Sequence, residues 1–152
     1  MSLLRRRRMM MEPAKDSWEL IDEIVTEEDL VMVVLYESAK GEYTKFQIIG
    51  DFEVETDSYR VHVNKAYSSI YSVFNIPYAV GGHRSIDAII EPNQGGTPYG
   101  HGTVAINGGT PAAVTRDPNN SQRVFYPITE LAIRGNTKAI YAGAKFTLYG
   151  QK

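Results

Sequence analysis

The three histidines, His62, His83 and His101, are the residues of this chain that are best suited to metal binding or proton transfer. Metal sites usually draw ligands from close pairs, and the intervals between these histidines match no such motif. The chain has no cysteine, so disulfides and thiolate metal sites are excluded. We therefore predict neither a metal site nor a cofactor. His83, which follows a glycine pair, and His101, in "YGHG", are candidates for a ligand site or for lining the symmetry axis of an oligomer.

Carboxylates are common, but no catalytic arrangement of them is evident. Asp51, Glu53 and Glu55 alternate along one predicted strand, which indicates a solvent-facing row. The sequence also lacks the nucleophile elbow G-x-S-x-G, the zinc motif H-E-x-x-H and a P-loop. We predict that the protein is not an enzyme. A glycan-cleaving jelly roll is the catalytic alternative, and it would need two carboxylates facing each other across a cleft.

Tyrosine is the residue type that most suggests binding, with ten copies in 152 residues. Exposed tyrosines on loops make contact surfaces at low entropic cost. Tyr78, Tyr99 and Tyr126 lie near prolines or predicted loops. With His83 and His101 they form the candidate ligand-binding set, and a host-surface glycan is the candidate ligand. The alternative is that these rings fill the edges of a sandwich, with their hydroxyl groups reaching water.

The first 15 residues differ in charge from the rest of the chain. They hold five basic side chains and one acid, whereas the remainder holds eleven basic and seventeen acidic groups. Such asymmetry predicts a tail with its own partner. Arginine offers planar bidentate donors and methionine adapts to irregular apolar surfaces, which favours docking onto a protein. The predicted docking residues are Leu3, Leu4, Arg5, Arg6, Arg7, Arg8, Met9, Met10 and Met11.

Other interpretations of this basic run stay open. One alternative is that the basic run belongs to a disordered, solvated tail. Contact with nucleic acid is not expected, because the acidic body lacks interleaved basic residues. The run is a poor secretory signal, since three methionines stand where about 7–15 apolar residues are needed. No stretch approaches the roughly 20 apolar residues of a membrane span.

The segments that must position these residues have the pattern of short strands. From Trp18 onward, alternating apolar residues and β-branched runs indicate about nine or ten strands, with turns at intervals of about 8–12 residues. Helical crossovers are absent from the pattern, so the sheets should be antiparallel. We predict an all-β protein, with a jelly-roll-like antiparallel β-sandwich over residues 16–152. A short helical or extended anchor arm over residues 1–15 precedes it.

Glycine and proline mark the predicted interruptions of these strands. Gly50 falls where the alternation of "YTKFQIIGDFEVE" shifts, which predicts a bulge or bend. The stretch "NQGGTPYGHG" is predicted to be a loop. "RVFYPITELAIRG" is predicted to hold a strand on either side of Pro127, and "SIYSVFN" is predicted to be a strand. For "SWELIDEI", strand is the prediction and helix the competing interpretation.

The two ends of the chain resemble those of small structural proteins encoded by tailed phages and prophages of Gram-positive bacteria. In that group an SLLRRR-MMM head is followed by a W-E-L-I strand, and the chain closes on a glycine turn and a G-x-K-[FI]-x-[LI]-Y-G strand. The familiar turn is PAG, where this chain has YAG. The matching residues are Trp18, Glu19, Leu20 and Ile21 in the first motif, and Gly143, Lys145, Phe146, Leu148, Tyr149 and Gly150 in the second.

This resemblance implies a noncatalytic virion component with a β-sandwich body, such as a head fibre, a capsid decoration or a tail-associated module. Its partners would be other virion proteins, and its location the virion. Because β-rich phage appendages are often trimers, a homotrimer is the expected oligomer. A carbohydrate-binding module for adhesion to the host surface is the alternative function, and both can hold together.

Overall fold

The computed structural model describes residues 17–68, 71–115 and 124–152. The predicted anchor arm and its docking residues lie outside these ranges. Within them the chain forms strands and no α-helix. The strands are β1 (Glu19–Val25), β2 (Met32–Glu37), β3 (Lys45–Val54), β4 (Asp57–Val63), β5 (Phe74–Ala79), β6 (Gly82–Pro92), β7 (Pro98–Ile106), β8 (Ala112–Thr115), β9 (Glu130–Gly135) and β10 (Lys145–Gln151).

Two antiparallel sheets face each other. The six-stranded sheet has the order β1-β10-β3-β6-β7-β8, and the four-stranded sheet has the order β2-β9-β4-β5. Without β7 and β8, the orders β1-β10-β3-β6 and β2-β9-β4-β5 are those of an eight-stranded jelly roll. The β7–β8 hairpin extends the larger sheet beyond that arrangement. The predicted all-β antiparallel sandwich is therefore confirmed.

The core lies between the sheets and is formed by alternate residues of the strands. Along β3, Phe46, Ile48 and Phe52 point inward and are buried. From the neighbouring strand β10, Phe146 and Leu148 pack beside them. Successive side chains of a strand point to opposite faces, so the outer face of β3 is formed by Lys45, Gln47, Ile49, Asp51 and Glu53. Burying each large apolar side chain contributes about 1.5–3 kcal/mol.

Strand directions give the sandwich two distinct ends. We call the end at which β1 begins and β10 ends the terminal end, and the opposite one the distal end. β3 and β7 begin at the terminal end and β6 ends there, because Lys45 pairs with Gln151 and Pro98 pairs with Pro92. The leader, residues 1–15, therefore precedes a strand that starts at the terminal end.

Gly50 is not a bulge. β3 runs through it with regular pairing to β10 on one side and β6 on the other. A Cβ atom at this position would lie 2.9 Å from Ile86 Cγ1 and 3.0 Å from Phe146 Cδ1. The glycine thus makes room for core side chains. The alternation of apolar residues is interrupted here because an inward position of β3 is occupied by glycine.

The prediction of a loop over "NQGGTPYGHG" is wrong for its second half. Only residues 93–97 connect β6 to β7, and β7 begins at Pro98. At Gly100 a Cβ atom would lie 2.5 Å from the carbonyl oxygen of Val73 and 2.8 Å from Phe74 Cβ. Here glycine permits a close approach to the opposite sheet and does not mark a turn. Tyr99 and His101 accordingly lie on a rigid strand.

Three further strand predictions differ from the structure. Within "SIYSVFN", residues 71–73 form a connection, and among its described residues only Phe74 and Asn75 belong to a strand, β5. No strand occurs in the described residues just before Pro127, whereas β9 follows it as predicted. β8, with the sequence "AAVT", was not predicted because alanine is a weak strand former. For "SWELIDEI" the strand prediction is confirmed, since β1 spans Glu19–Val25.

Candidate functional site

Two of the predicted ligand-binding residues lie side by side on the outer face of the six-stranded sheet. Tyr99 and His101 are two positions apart on β7, so their side chains share one face. Their ring centroids are 5.5 Å apart and the ring planes meet at 32°. The pair therefore forms a tilted aromatic platform at the terminal end.

Glu91 on β6 connects this platform to β3. It pairs across the strands with Tyr99, and it lies one position beyond the pair of Ile90 with Phe46, the residue after Lys45. One of its carboxylate oxygens makes a short hydrogen bond to His101 Nε2, and the other lies 3.7 Å from Lys45 Nζ. All three side chains are partly exposed. We call Lys45, Glu91, Tyr99 and His101 the Tyr99 cluster.

Tyr126 lies close to this cluster but has a structural role. Its hydroxyl group donates a 2.6 Å hydrogen bond to the carbonyl oxygen of Thr44, the residue before β3. Burial, together with the negative charge of Glu91, raises the pKa of Tyr126 well above its ordinary value of 10.0. The side chain packs against the core from the segment before β9. It therefore fixes that segment to the start of β3.

Replacing Tyr126 with phenylalanine tests this role. The loss of one neutral hydrogen bond should lower the free energy of unfolding by about 1 kcal/mol. Urea denaturation measures the change. Tyr78→Phe is the matched control, because Tyr78 is 70% exposed and its variant should stay within about 0.5 kcal/mol of the parent. Equal stability of the two variants would contradict the assignment.

The other two predicted ligand-binding residues lie elsewhere. Tyr78 is on β5, the edge strand of the smaller sheet. His83 is at the start of β6, eight residues from Glu91, which corresponds to about 26 Å at roughly 3.3 Å per residue. There it makes a short hydrogen bond to Asp51, one of the predicted solvent-facing acids. Of the five predicted ligand-binding residues, only Tyr99 and His101 are therefore adjacent. Tyr126 lies near them in a structural role, and Tyr78 and His83 lie elsewhere.

His62 lies on the outer face of the smaller sheet, as the alternation of β4 predicts, yet it is fully buried. Residues that follow β4 cover it. Its Nδ1 atom lies 2.8 Å from the carbonyl oxygen of Ala66, and the ring of Tyr67 meets it edge-on at 5.9 Å. Because His62 is buried beneath the residues that follow β4, we assign it a packing role.

A cavity of about 380 Å³ opens beside this connection at the terminal end. We call it the Asn64 cavity. At its wall Glu130 is buried and accepts hydrogen bonds from Tyr67 Oη and from the backbone N–H of Lys65. Burial and the bond to Glu130 raise the pKa of Tyr67 to about 12. The lining residues are Glu37, Ser38, Ala39, Asn64, Lys65, Thr129 and Glu130.

Sequence reasoning did not find this cavity. Its lining comes from three stretches of chain that are far apart in sequence, and no motif connects them. A weak local signal exists, because Asn64 and Lys65 both adopt positive φ angles, of 54° and 63°. Asparagine directly after a strand is typical of such a turn.

Neither site has the composition of a metal centre. Among residues 17–68, 71–115 and 124–152, no three histidine or acidic side chains come together as metal ligands would. No helix of this part of the chain is long and apolar enough to span a membrane. The fold and the Tyr99 cluster together define a jelly-roll domain with an aromatic and polar surface on its larger sheet.

Comparison with known proteins adds no assignment to this description. No protein-family model matches the chain, and no curated protein sequence matches it.

Proposed function

We propose that the protein is a noncatalytic structural module of a phage virion, anchored by its basic leader, residues 1–15. The observation that carries this proposal is the pairing of β1 with β10. β1 contains Glu19, Leu20 and Ile21 of the first motif, and β10 contains the second motif from Lys145 to Gly150. The two strands are hydrogen-bonded neighbours at the edge of the larger sheet. Motifs at opposite ends of the chain thus build one structural unit.

The motif residues have physical reasons to occur together. Gly143 adopts a φ angle of 90°, which favours glycine in the turn before β10. At Gly150 a Cβ atom would lie 2.6 Å from Ile21 Cδ1 and 2.5 Å from Tyr43 Cδ1. The glycine of the second motif therefore leaves room for the isoleucine of the first.

This unit is where the leader joins the body. β1 is an edge strand, and Leu20 near its start is 52% exposed. The described core residues all come from Ile21 onward. A basic leader at one end of an independently packed body suits attachment to a larger assembly. Jelly rolls are also frequent in viral capsid proteins, which supports the proposal by analogy of fold.

Removing residues 1–12, with a new start methionine before Pro13, tests the anchor. The truncated protein should keep the thermal unfolding midpoint of the full chain, because the described core does not include these residues. It should be absent from purified virions, measured by quantitative mass spectrometry against the major capsid protein. Lysine at positions 5–8 is the control that retains the charge. Normal incorporation of the truncated protein would remove the anchor from the proposal.

A homotrimer is the oligomer we propose for the full chain. Size-exclusion chromatography with light scattering at micromolar concentration should give three times the 17.0 kDa mass of one chain. A monomer under these conditions would contradict the trimer and leave the anchor test unaffected.

A further inference from the structure

Strand register arranges the outward side chains of the six-stranded sheet in rows across the strands. The row nearest the terminal end contains Gln151, Lys45, Glu91 and Tyr99. The second row contains Leu20, Tyr149, Gln47, Ile89, His101 and Thr115. We call these two rows the outer-face rows. The first row crosses four hydrogen-bonded strands and the second crosses all six, so their side chains hold fixed positions relative to one another.

Aromatic rings stand at two places in these rows. The platform of Tyr99 and His101 lies on β7, and Tyr149 lies on β10. Three strand spacings separate β10 from β7, which is about 14 Å at roughly 4.8 Å per strand. Between them lie the amide of Gln47 and the aliphatic side chain of Ile89. An extended ligand with apolar faces and polar edges could contact both aromatic positions at once.

Polar groups beside the rings are already held in place. Glu91 is fixed by His101 and by Lys45. Gln47 Nε2 donates a 2.9 Å hydrogen bond to Asp87 Oδ1 on the neighbouring strand. Groups fixed before binding lose little freedom when a ligand arrives. The charges of Lys45 and Glu91 compensate each other, so the Tyr99 cluster favours a neutral, hydroxyl-rich ligand over a polyanion.

The described neighbours leave the platform open on its outer side. His101 pairs with Thr115 on β8, and the next pair on the same face of the hairpin is Thr103 with Ala113. These three neighbours are small and exposed. The rings of Tyr99 and His101 therefore project beyond these smaller neighbouring side chains.

We infer that the outer-face rows bind a neutral oligosaccharide, with the rings of Tyr99 and His101 stacking on one sugar. Glu91, Lys45 and Gln47 exchange hydrogen bonds with its hydroxyl groups. A protein partner fits less well, since the centre of a protein interface is depleted of charged residues and here charged side chains lie against the rings. This inference does not depend on the virion assignment. The proposed binding residues lie on the outer face of the larger sheet, and none of them belongs to the leader.

The test uses the full chain on an array of neutral oligosaccharides built from hexoses, deoxyhexoses and N-acetylhexosamines. The strongest array ligand is then titrated by calorimetry. Tyr99→Ala and His101→Ala should each raise the Kd by about tenfold, the scale of losing one stacked ring. Tyr99→Phe keeps the ring and should bind within about threefold of the parent. Tyr78→Ala, on the other sheet, should bind as the parent does.

Thermal unfolding of each variant controls for folding, and Tyr99→Phe provides a conservative variant at the same position. Binding should vary little with salt, because no net charge is recognised. The inference is overturned if no neutral glycan binds, or if Tyr99→Ala and Tyr78→Ala behave alike. It is also overturned if only phosphorylated or carboxylated glycans bind and added salt abolishes the signal, or if the same face instead captures a protein.

Discussion

Replacing Asn64 with alanine is expected to lower the free energy of unfolding by about 3 kcal/mol. The Asn64 side chain joins the end of β4 to the segment before β9. Its Nδ2 group donates to the carbonyl oxygens of Phe125 and Pro127, at 2.9 and 3.0 Å. Its Oδ1 atom accepts a 2.7 Å hydrogen bond from the backbone N–H of Thr129. Oδ1 also accepts longer bonds from Thr129 Oγ1 and the backbone N–H of Glu130, at 3.2 and 3.3 Å, and alanine removes all five bonds.

Backbone geometry adds to this loss. Asn64 has a φ angle of 54°, in the left-handed region that asparagine tolerates better than alanine. Asn64→Gly separates the two effects, since glycine accepts this conformation and still lacks the amide. We expect Asn64→Gly to recover about 1 kcal/mol relative to Asn64→Ala.

Guanidinium denaturation of both variants and the parent gives the comparison. Gln94→Ala is the matched control, because Gln94 is an exposed residue of the β6–β7 connection. It should lie within about 0.5 kcal/mol of the parent. If Asn64→Gly is as stable as the parent, the side-chain bonds contribute nothing and the proposed role of Asn64 fails.

Asp57→Asn is expected to destabilise the protein by about 2 kcal/mol near neutral pH. Asp57 begins β4 and is only 8% exposed. Its Oδ2 atom accepts 2.8 Å hydrogen bonds from the backbone N–H groups of Thr137 and Lys138, and Oδ1 accepts one from Ser58. The carboxylate thus orders the β9–β10 connection at the distal end. In asparagine, an NH2 group replaces one of the carboxylate oxygens, so a donor would face one of these N–H donors and no hydrogen bond could form there.

The effect of this substitution should depend on pH. Burial by itself raises the pKa of Asp57, but the backbone hydrogen bonds outweigh burial and hold the pKa below its ordinary value of 3.8. A carboxyl group with a lowered folded-state pKa stabilises the protein above its unfolded pKa. That stabilisation disappears as pH falls through the folded-state pKa. The difference between parent and Asp57→Asn should therefore shrink between about pH 5 and pH 2.

Denaturation at a series of pH values measures this difference. Glu53→Gln is the control, since Glu53 is exposed on the outer face of β3. Its stability should follow that of the parent over the whole series. A constant gap between the parent and Asp57→Asn would show that the charge of Asp57 is not what orders the connection.

Much of the fold could be predicted from the sequence because the alternation of apolar and polar residues along a strand indicates which side chains are buried. The runs that became β3 and β10 place every second side chain in the core, whereas β2 was predicted from its apolar, β-branched composition. Prediction failed where glycine filled an inward position, as at Gly50 and Gly100, since glycine there marks tight packing and in a sequence looks like a turn. The close approach that requires it involves strands distant in the chain.

The candidate site was predictable only in part for the same reason. Tyr99 and His101 were found by residue type, and their spacing of two places them on one face of any strand. Glu91 and Lys45 were missed, because only the register of β6 with β7 and β3 brings them to the rings. Residue type identifies a chemical group, whereas cross-strand register identifies its neighbours.

The β7–β8 hairpin is hydrogen-bonded to the jelly roll through the single strand β6, and its inner face packs against β5. Its outward positions, including Tyr99, His101, Thr103 and Ala113, can be exchanged without altering the pairing of β1 with β10. If the virion and glycan proposals both hold, host attachment and particle assembly reside on separate strands of one domain. A lineage meeting a new host could change the first while leaving the second intact.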